Sequence, residues 1–207
     1  MEDEKLKGSE TRLWSMIEER TLPGADQQRI DERIWDLFGE DWAVMFTDLS
    51  GFSRRAAEFG IIHFLQIIFE HKRLLLPIVA SHDGILIKIE ADSFLIVFRR
   101  ASTAMRCAVE MQQACQKLNV GRRPEEQVLL CLGIGYGRII RIGDVDVYGR
   151  EVNAASKLGE DTAKADEILV TEDARKAIGD MPGITYEPLD VQVPGSDSNF
   201  RIVYPRA

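Results

Sequence analysis

The chain has 207 residues, enough for one well-buried domain with an appendage or for two small ones. Its apolar and charged fractions are those of an ordinary globular protein, and a net charge of −8 argues against a broad nucleic-acid surface, which needs clustered Lys and Arg. A compact site for one nucleotide stays open, because divalent cations can meet phosphate charge.

Ser9-Glu10-Thr11-Arg12 opens a helix with Leu13, Trp14 and Ile17 as a narrow apolar stripe. Leu22-Pro23-Gly24-Ala25-Asp26 is a break, and Asp26 is a good N-cap for a second helix through about Phe38, stopped by Gly39. Both stripes are short. Residues 1–40 therefore read as a helical appendage that packs on a domain or an upstream regulatory partner, and residues 41–207 as the main domain. From Ala43, AVMFTDL is a nearly continuous apolar strand of the kind buried on both faces. Ile61, Phe64, Leu65, Ile68, Leu75 and Ile78 then recur at helical spacing, with Pro77 late in that helix or kinking it.

Asp83-Gly84 marks a turn, after which ILIKI and FLIVF are two strands joined around Glu90-Ala91-Asp92. Residues 102–118 form a helix with Ala104, Cys107, Ala108, Met111 and Cys115 inward. VLLCLGIG and RIIRIGDVDVY read as strands either side of Gly135-Tyr136-Gly137, followed by a helix over about 151–160 and a strand at 168–171. A short helix over 172–178 ends at Gly179, and two edge-like strands near 184–193 and 199–204 finish the chain. The order from Ala43 is β-α-β-β-α-β-β-α-β-α-β-β. Its first six elements form a split-βαβ, ferredoxin-like core, an α/β (α+β) fold with a mixed, mainly antiparallel sheet.

Cys107, Cys115 and Cys131 cannot all pair and show no zinc-ligand spacing, so they read as small buried hydrophobes in a reducing compartment. No apolar run reaches the ~20 residues of a membrane helix. The charged first thirty residues do not resemble a signal peptide, so the expected location is cytoplasmic, with no membrane insertion. His63, His71 and His82 lack ligand spacing and read as surface or helix-packing residues; Arg54-Arg55 reads as a solvated helix face.

Chemistry concentrates in a few stretches. Asp48 ends the first strand and Asp92 sits in the turn between the second and third. The first and third strands are neighbours in a ferredoxin-like sheet, so the two carboxylates could share divalent cations. Ser50, Gly51 and Phe52 would offer backbone N–H groups to phosphate at a helix start. Gly133-Ile134-Gly135-Tyr136-Gly137 is not a dinucleotide loop, since it leads into another strand; these glycines instead allow close backbone approach or a bulge. Asn153 and Lys157 stand four apart on one helix face, suited to a ribose and a phosphate.

Together FTDLSGF, KIEAD, GIGYGRII, DVYGREVNAASKL and KADEILVT resemble, in order, the motifs of class III nucleotidyl cyclases, the adenylate and guanylate cyclase catalytic domains. The resemblance runs over about residues 43–204. It implies a homodimer with active sites at the interface, and a reaction in which the 3′-hydroxyl of ATP attacks the α-phosphorus to give cyclic AMP and pyrophosphate. Asp48 and Asp92, with the Leu49 carbonyl, would bind two Mg²⁺ or Mn²⁺ per site. Lys88 and Asp146, from the opposite subunit, would read the base. An ammonium donating to N1 and a carboxylate accepting from the exocyclic amine suit adenine. Asn153 would orient the ribose, and Lys157 takes the place of the transition-state Arg.

Four departures bear on activity. Lys157 lacks the planar fork of Arg. Cys131 stands where many members carry a phosphate-binding Arg, and Pro194 where a triphosphate-binding Lys is usual, leaving Arg138, Arg150 or Arg201 as candidate substitutes. Ala91 replaces the hairpin Gly, in a turn that needs positive φ. The alternative expectation is a weakly catalytic or non-catalytic cyclase-homology domain that binds nucleotide or acts as a dimeric regulatory module. A diguanylate cyclase would need a Gly-Gly-Asp-Glu-Phe hairpin, which KIEAD is not. An RNA-binding ferredoxin-like domain would need aromatic pairs on the central strands.

Overall fold

The computed structural model describes residues 8–51 and 57–207. Phe52 and the Arg54-Arg55 pair lie outside them. The helices are α1 (Ser9–Thr21), α2 (Gln27–Phe38), α3 (Ile61–Ser81), α4 (Ala101–Asn119), α5 (Arg150–Ser156) and α6 (Glu172–Ile178). The strands are β1 (Gly39–Leu49), β2 (Ile85–Glu90), β3 (Ser93–Phe98), β4 (Leu130–Ile142), β5 (Asp146–Tyr148), β6 (Ile168–Thr171), β7 (Thr185–Leu189) and β8 (Asn199–Val203). They form one eight-stranded sheet in the order β2-β3-β1-β4-β6-β8-β7, with β5 paired to β4. Only β4 and β6 run parallel, so the order β2-β3-β1-β4 is the expected ferredoxin-like core.

Side-chain alternation along β1 builds both faces of this sheet. Ala43 and Met45 point into the large core with α3, α4 and α6, including Phe64, Leu75, Met105 and Met111. Trp42 and Val44 point the other way, toward Val152 and Ala155 of α5. Both sets are buried, which is why AVMFTDL shows no polar alternation. The strand starts at Gly39, earlier than its apolar pattern, because pairing with β4 extends to Gly39↔Ile140 and carries Glu40 and Asp41 along.

Three further details depart from the sequence pattern. β4 passes straight through Gly135-Tyr136-Gly137, and the chain turns instead between Ile142 and Asp146, around Gly143 at φ 52. The helix expected over 151–160 is α only to Ser156, then widens into a π-helical turn, Lys157–Thr162. Of the last two strands only β7 is an edge, and it tolerates Pro188 there; β8 is enclosed between β6 and β7. Pro77 lies inside α3, which continues to Ser81.

The N-terminal helices pack on the end of β4. Leu13, Met16, Ile30, Ile34 and Phe38 form a cluster with Ile142, and Ile140 packs at its margin. Asp26 caps α2 by accepting from the Arg29 amide at 3.1 Å. Arg138 fastens the other end of α2, donating to the Trp35 carbonyl and stacking over the Trp35 ring. Among the described residues, no helix is long and apolar enough to cross a membrane.

Candidate active site

β1 and β3 are hydrogen-bonded neighbours, and their register brings Asp48 to the β2–β3 turn. Asp48 accepts from the Ser93 hydroxyl at 3.3 Å, next to Asp92 in the same turn, near enough for the charge of Asp48 to bear on Asp92. Burial, then the charge of Asp48, pushes Asp92 up to about 7. Asp48 is also raised, chiefly by burial, and hydrogen bonds from the Leu49 amide draw both carboxyls partly back. Asp92 is 6% exposed, and its Oδ2 has no hydrogen-bond partner among the described residues.

A buried carboxylate oxygen without a hydrogen-bond partner among the described residues, beside a second carboxylate, fits a hard divalent cation that takes one or two carboxylates and completes its shell with water and phosphate. Among the described residues no group of three or more His, Cys, Asp or Glu gathers as a metal cluster. The turn that carries Asp92 also stores strain: Ala91 adopts φ 52, the left-handed region that favours glycine.

Lys88 reaches the site through a β-bulge. Strict alternation along ILIKI would send Lys88 to the same face as Leu86, into the large core. The register instead slips between Leu86 and Lys88, so Lys88 sits opposite Leu95 and Ile89 takes the core side. The bulge re-aims one side chain onto the α5 face. There the Lys88 ammonium donates to Asp146 Oδ2 at 2.9 Å, which raises the lysine pKa further. Phe46, Lys88, Leu95, Asp146, Tyr148 and Ser156 line a pocket of about 250 Å³.

α5 can lie over the strands because glycines strip them. A Cβ on Gly133 would stand 2.2 Å from the Ala155 carbonyl, and one on Gly135 2.5 Å from the Glu151 carbonyl. This is the close backbone approach expected of GIGYG. It presents Asn153 and Lys157 outward, with Asn153 exposed. Lys157 is bound across one turn by Asp161, and that ion pair raises its pKa.

The phosphate-handling positions are distributed as follows. The Ser50 amide donates to the Leu129 carbonyl at 2.8 Å, so this N–H is engaged within the protein, contrary to the expectation that it faces phosphate. Gly51 turns the chain out of β1 at φ 78. Phe52 lies outside the described residues. Cys131 is opposite Asp48 in the β1–β4 register, and burial pushes its thiol up to about 12, so it brings no charge. Pro194 lies in a turn closed by backbone bonds between Val193 and Ser196. Of the candidate substitutes, Arg138 is bound at Trp35, Arg150 to Asp173 at 2.6 Å, and Arg201 to Glu167 at 2.9 Å.

The sequence reading passed over several residues. Glu151 is 3% exposed, accepting from the Tyr136 amide at 3.1 Å and the Thr171 hydroxyl at 2.7 Å. It serves the stretch of β4 between the segments paired with β6 and β5. Glu160 lines the pocket, and its charge adds to the raised pKa of Asp48. Tyr148 donates to Asp146 Oδ2 at 3.2 Å. A single acid within a helical stretch, or a phenol at the end of a three-residue strand, carries no periodic signal, so only spatial convergence reveals these.

Residues 39–200 match the family described as adenylate and guanylate cyclase catalytic domains. Among curated relatives, the chain is 25% identical over 164 residues to the serine/threonine-protein kinase pkn2 of Myxococcus xanthus, covering 79% of this chain and 19% of that protein. It is 28% identical over 116 residues to putative adenylate cyclase 3 of Rhizobium meliloti, covering 56% of this chain and 20% of that protein. The chain thus spans about a fifth of the length of these relatives. Among solved structures, the adenylate/guanylate cyclase/hydrolase of Silicibacter pomeroyi superposes with a TM-score of 0.70 at 24% identity, over 81% of this chain and 98% of that one. The guanylate cyclase domain of RhGC from Catenaria anguillulae, solved with GTP, gives 0.65 at 18% identity, over 81% and 98%.

Proposed function

The chain belongs to the family of adenylate and guanylate cyclase catalytic domains, and from that premise we propose that it converts ATP to cyclic AMP and pyrophosphate as a homodimer with interfacial sites. The observation that carries the choice of ATP is the Lys88–Asp146 pair at 2.9 Å in the wall of the pocket. An ammonium and a carboxylate side by side match the N1 acceptor and exocyclic amine donor of adenine. The pocket's volume of about 250 Å³ is below the ~300–1,000 Å³ of a complete ligand site, as suits half of a site completed by a second copy. Phe59, Ile61, Ile62, Leu65 and Phe69 leave a large apolar surface on and before α3, which supports association.

In this reading Asp48 and Asp92, with the Leu49 carbonyl, hold Mg²⁺ or Mn²⁺, two per site. Bound there, such ions would supply Lewis acidity that eases loss of the 3′-hydroxyl proton and would share the phosphate charge. The chain's own residues bind and orient. Lys88 and Asp146 of one subunit fix the base, Asn153 holds the ribose, and Lys157, released from Asp161, meets charge on the α-phosphate. Gly51, where the chain leaves β1, borders the phosphates. The bond from O3′ to the α-phosphorus forms as the bond to the pyrophosphate oxygen breaks, and the 3′ proton passes to water. Orientation and fixed charge carry the acceleration.

Purified protein is expected to form cyclic AMP from ATP with Mn²⁺. Asp48→Ala and Asp92→Ala should each abolish it while leaving a folded protein by circular dichroism. Absence of product from both ATP and GTP with either metal would sink the enzymatic reading. A second reading, a nucleotide-binding regulatory module, is favoured by the neutral Cys131 and Pro194 and by Lys157, Arg150 and Arg201 all being paired with acids. Calorimetric binding of ATP with metal and no turnover would select it.

A further inference from the structure

Asp146 carries more hydrogen bonds than an ion pair requires. The Val147 amide donates to Oδ1 at 2.8 Å, while the Lys88 ammonium and the Tyr148 hydroxyl converge on Oδ2 at 2.9 and 3.2 Å. Tyr148 stands two residues after Asp146 on β5, so both side chains leave the strand on one side. Its side chain is not committed to a core: the residue is 43% exposed and borders the pocket. A phenol has one proton and acceptor lone pairs. With the proton given to Asp146, the lone pairs remain as acceptors at the pocket wall.

We propose that Tyr148 determines base specificity, holding Asp146 so that carboxylate and phenol oxygen together accept from an exocyclic amine and reject a base that presents a carbonyl at that position. Adenine offers the amine there and guanine the carbonyl. To donate to a carbonyl, Tyr148 would have to abandon a charged acceptor, and a site built to accept a donor discriminates strongly against its absence. Tyr148 is a positioning and reading group and takes no part in bond making. The proposal rests on the cyclase reading only for the class of ligand.

The test compares wild type with Tyr148→Phe, which keeps the ring and removes the hydroxyl. Calorimetry with Mn²⁺ and 3′-deoxy-ATP or 3′-deoxy-GTP reads binding, and steady-state assays with ATP and GTP read turnover. Tyr148→Phe should weaken adenine-nucleotide binding roughly tenfold, the loss expected for one hydrogen bond to a charged group, and leave guanine binding unchanged. Where turnover occurs, KM for ATP should rise while kcat holds. Equal weakening of both nucleotides, no weakening, or a wild-type preference for guanine overturns the proposal. Selectivity that falls as expected in a protein without turnover sinks the cyclase reading and leaves the Tyr148 assignment standing. ATP cyclisation with KM and selectivity unchanged in Tyr148→Phe does the reverse. A wild type that binds neither nucleotide overturns both.

Discussion

Ala91 and His71 show single residues held against their own preferences. Ala91 sits at φ 52 in the turn that delivers Asp92, a conformation that costs a residue with a Cβ roughly 1–2 kcal/mol. Ala91→Gly relieves it and gives back part of the gain through a more flexible unfolded chain. The net expectation is about 1 kcal/mol of stabilisation, a rise in melting midpoint on the order of 2–4 °C. His71 is fully buried against Phe94, ring centroids 4.4 Å apart, and neither ring nitrogen has a hydrogen-bond partner among the described residues. Burial, aided by the charge of Lys72, depresses its pKa from 6.5 to about 3. Between those values the unfolded chain binds a proton that the folded protein refuses, so this group's stabilising contribution is intact above 6.5 and falls as the pH drops toward 3. Replacing it by His71→Leu should flatten that slope. The stability difference between variant and wild type should grow by about 2 kcal/mol from pH 7.5 to pH 5 in denaturant titrations.

At the scale of elements, the face that carries the candidate site exists because α5 touches the backbone of β4. Gly133 faces the Ala155 carbonyl and the Gly159 amide, and a Cβ there would stand 2.4 Å from the latter. Gly133→Ala cannot be absorbed by a side-chain rotation, because the obstacles are backbone atoms. It should cost about 3 kcal/mol, a fall of roughly 6–12 °C in melting midpoint. Any folded fraction should show weakened nucleotide binding, since the helix that carries Asn153 and Lys157 must lift. The β2 bulge acts at the same scale: one extra residue decides whether Lys88 enters the core or the pocket.

Across the whole molecule, α2 runs directly into β1, whose other end carries Asp48, and the α1–α2 pair grips Ile142 just before the turn to Asp146. Helices α1 and α2 therefore brace the two strands that carry Asp48 and lead to Asp146. Ile34 is 4% exposed at the centre of that contact. Ile34→Ala should destabilise the protein by about 3 kcal/mol within a single unfolding transition. Two separated transitions, the second unchanged from wild type, would show that the helices are an independent attachment.

Patterns with a short range were readable from the residues. The helices themselves, the Asp26 cap, the β-α-β-β-α-β order and the left-handed strain at Ala91 all follow from spacing and backbone sterics over a few residues; the expected stripes do not hold throughout, since Trp14, Ile61 and Leu65 are exposed and Met16 is buried beside Leu13. The order of motifs along the chain was enough to suggest the family, and the pairing of β1 with β3 brought Asp48 and Asp92 together as that order required. Other features had no local signal. β4 continues through its glycines because β1 on one side, and β6 and β5 on the other, satisfy its hydrogen bonds. The Lys88 bulge, the Lys157–Asp161 pair and the grouping of Lys88, Tyr148 and Asp146 likewise depend on contacts between segments distant along the chain or on backbone irregularities. Periodicity records which face of an element is apolar; which polar groups meet is decided by strand register, and register is a property of the assembled sheet.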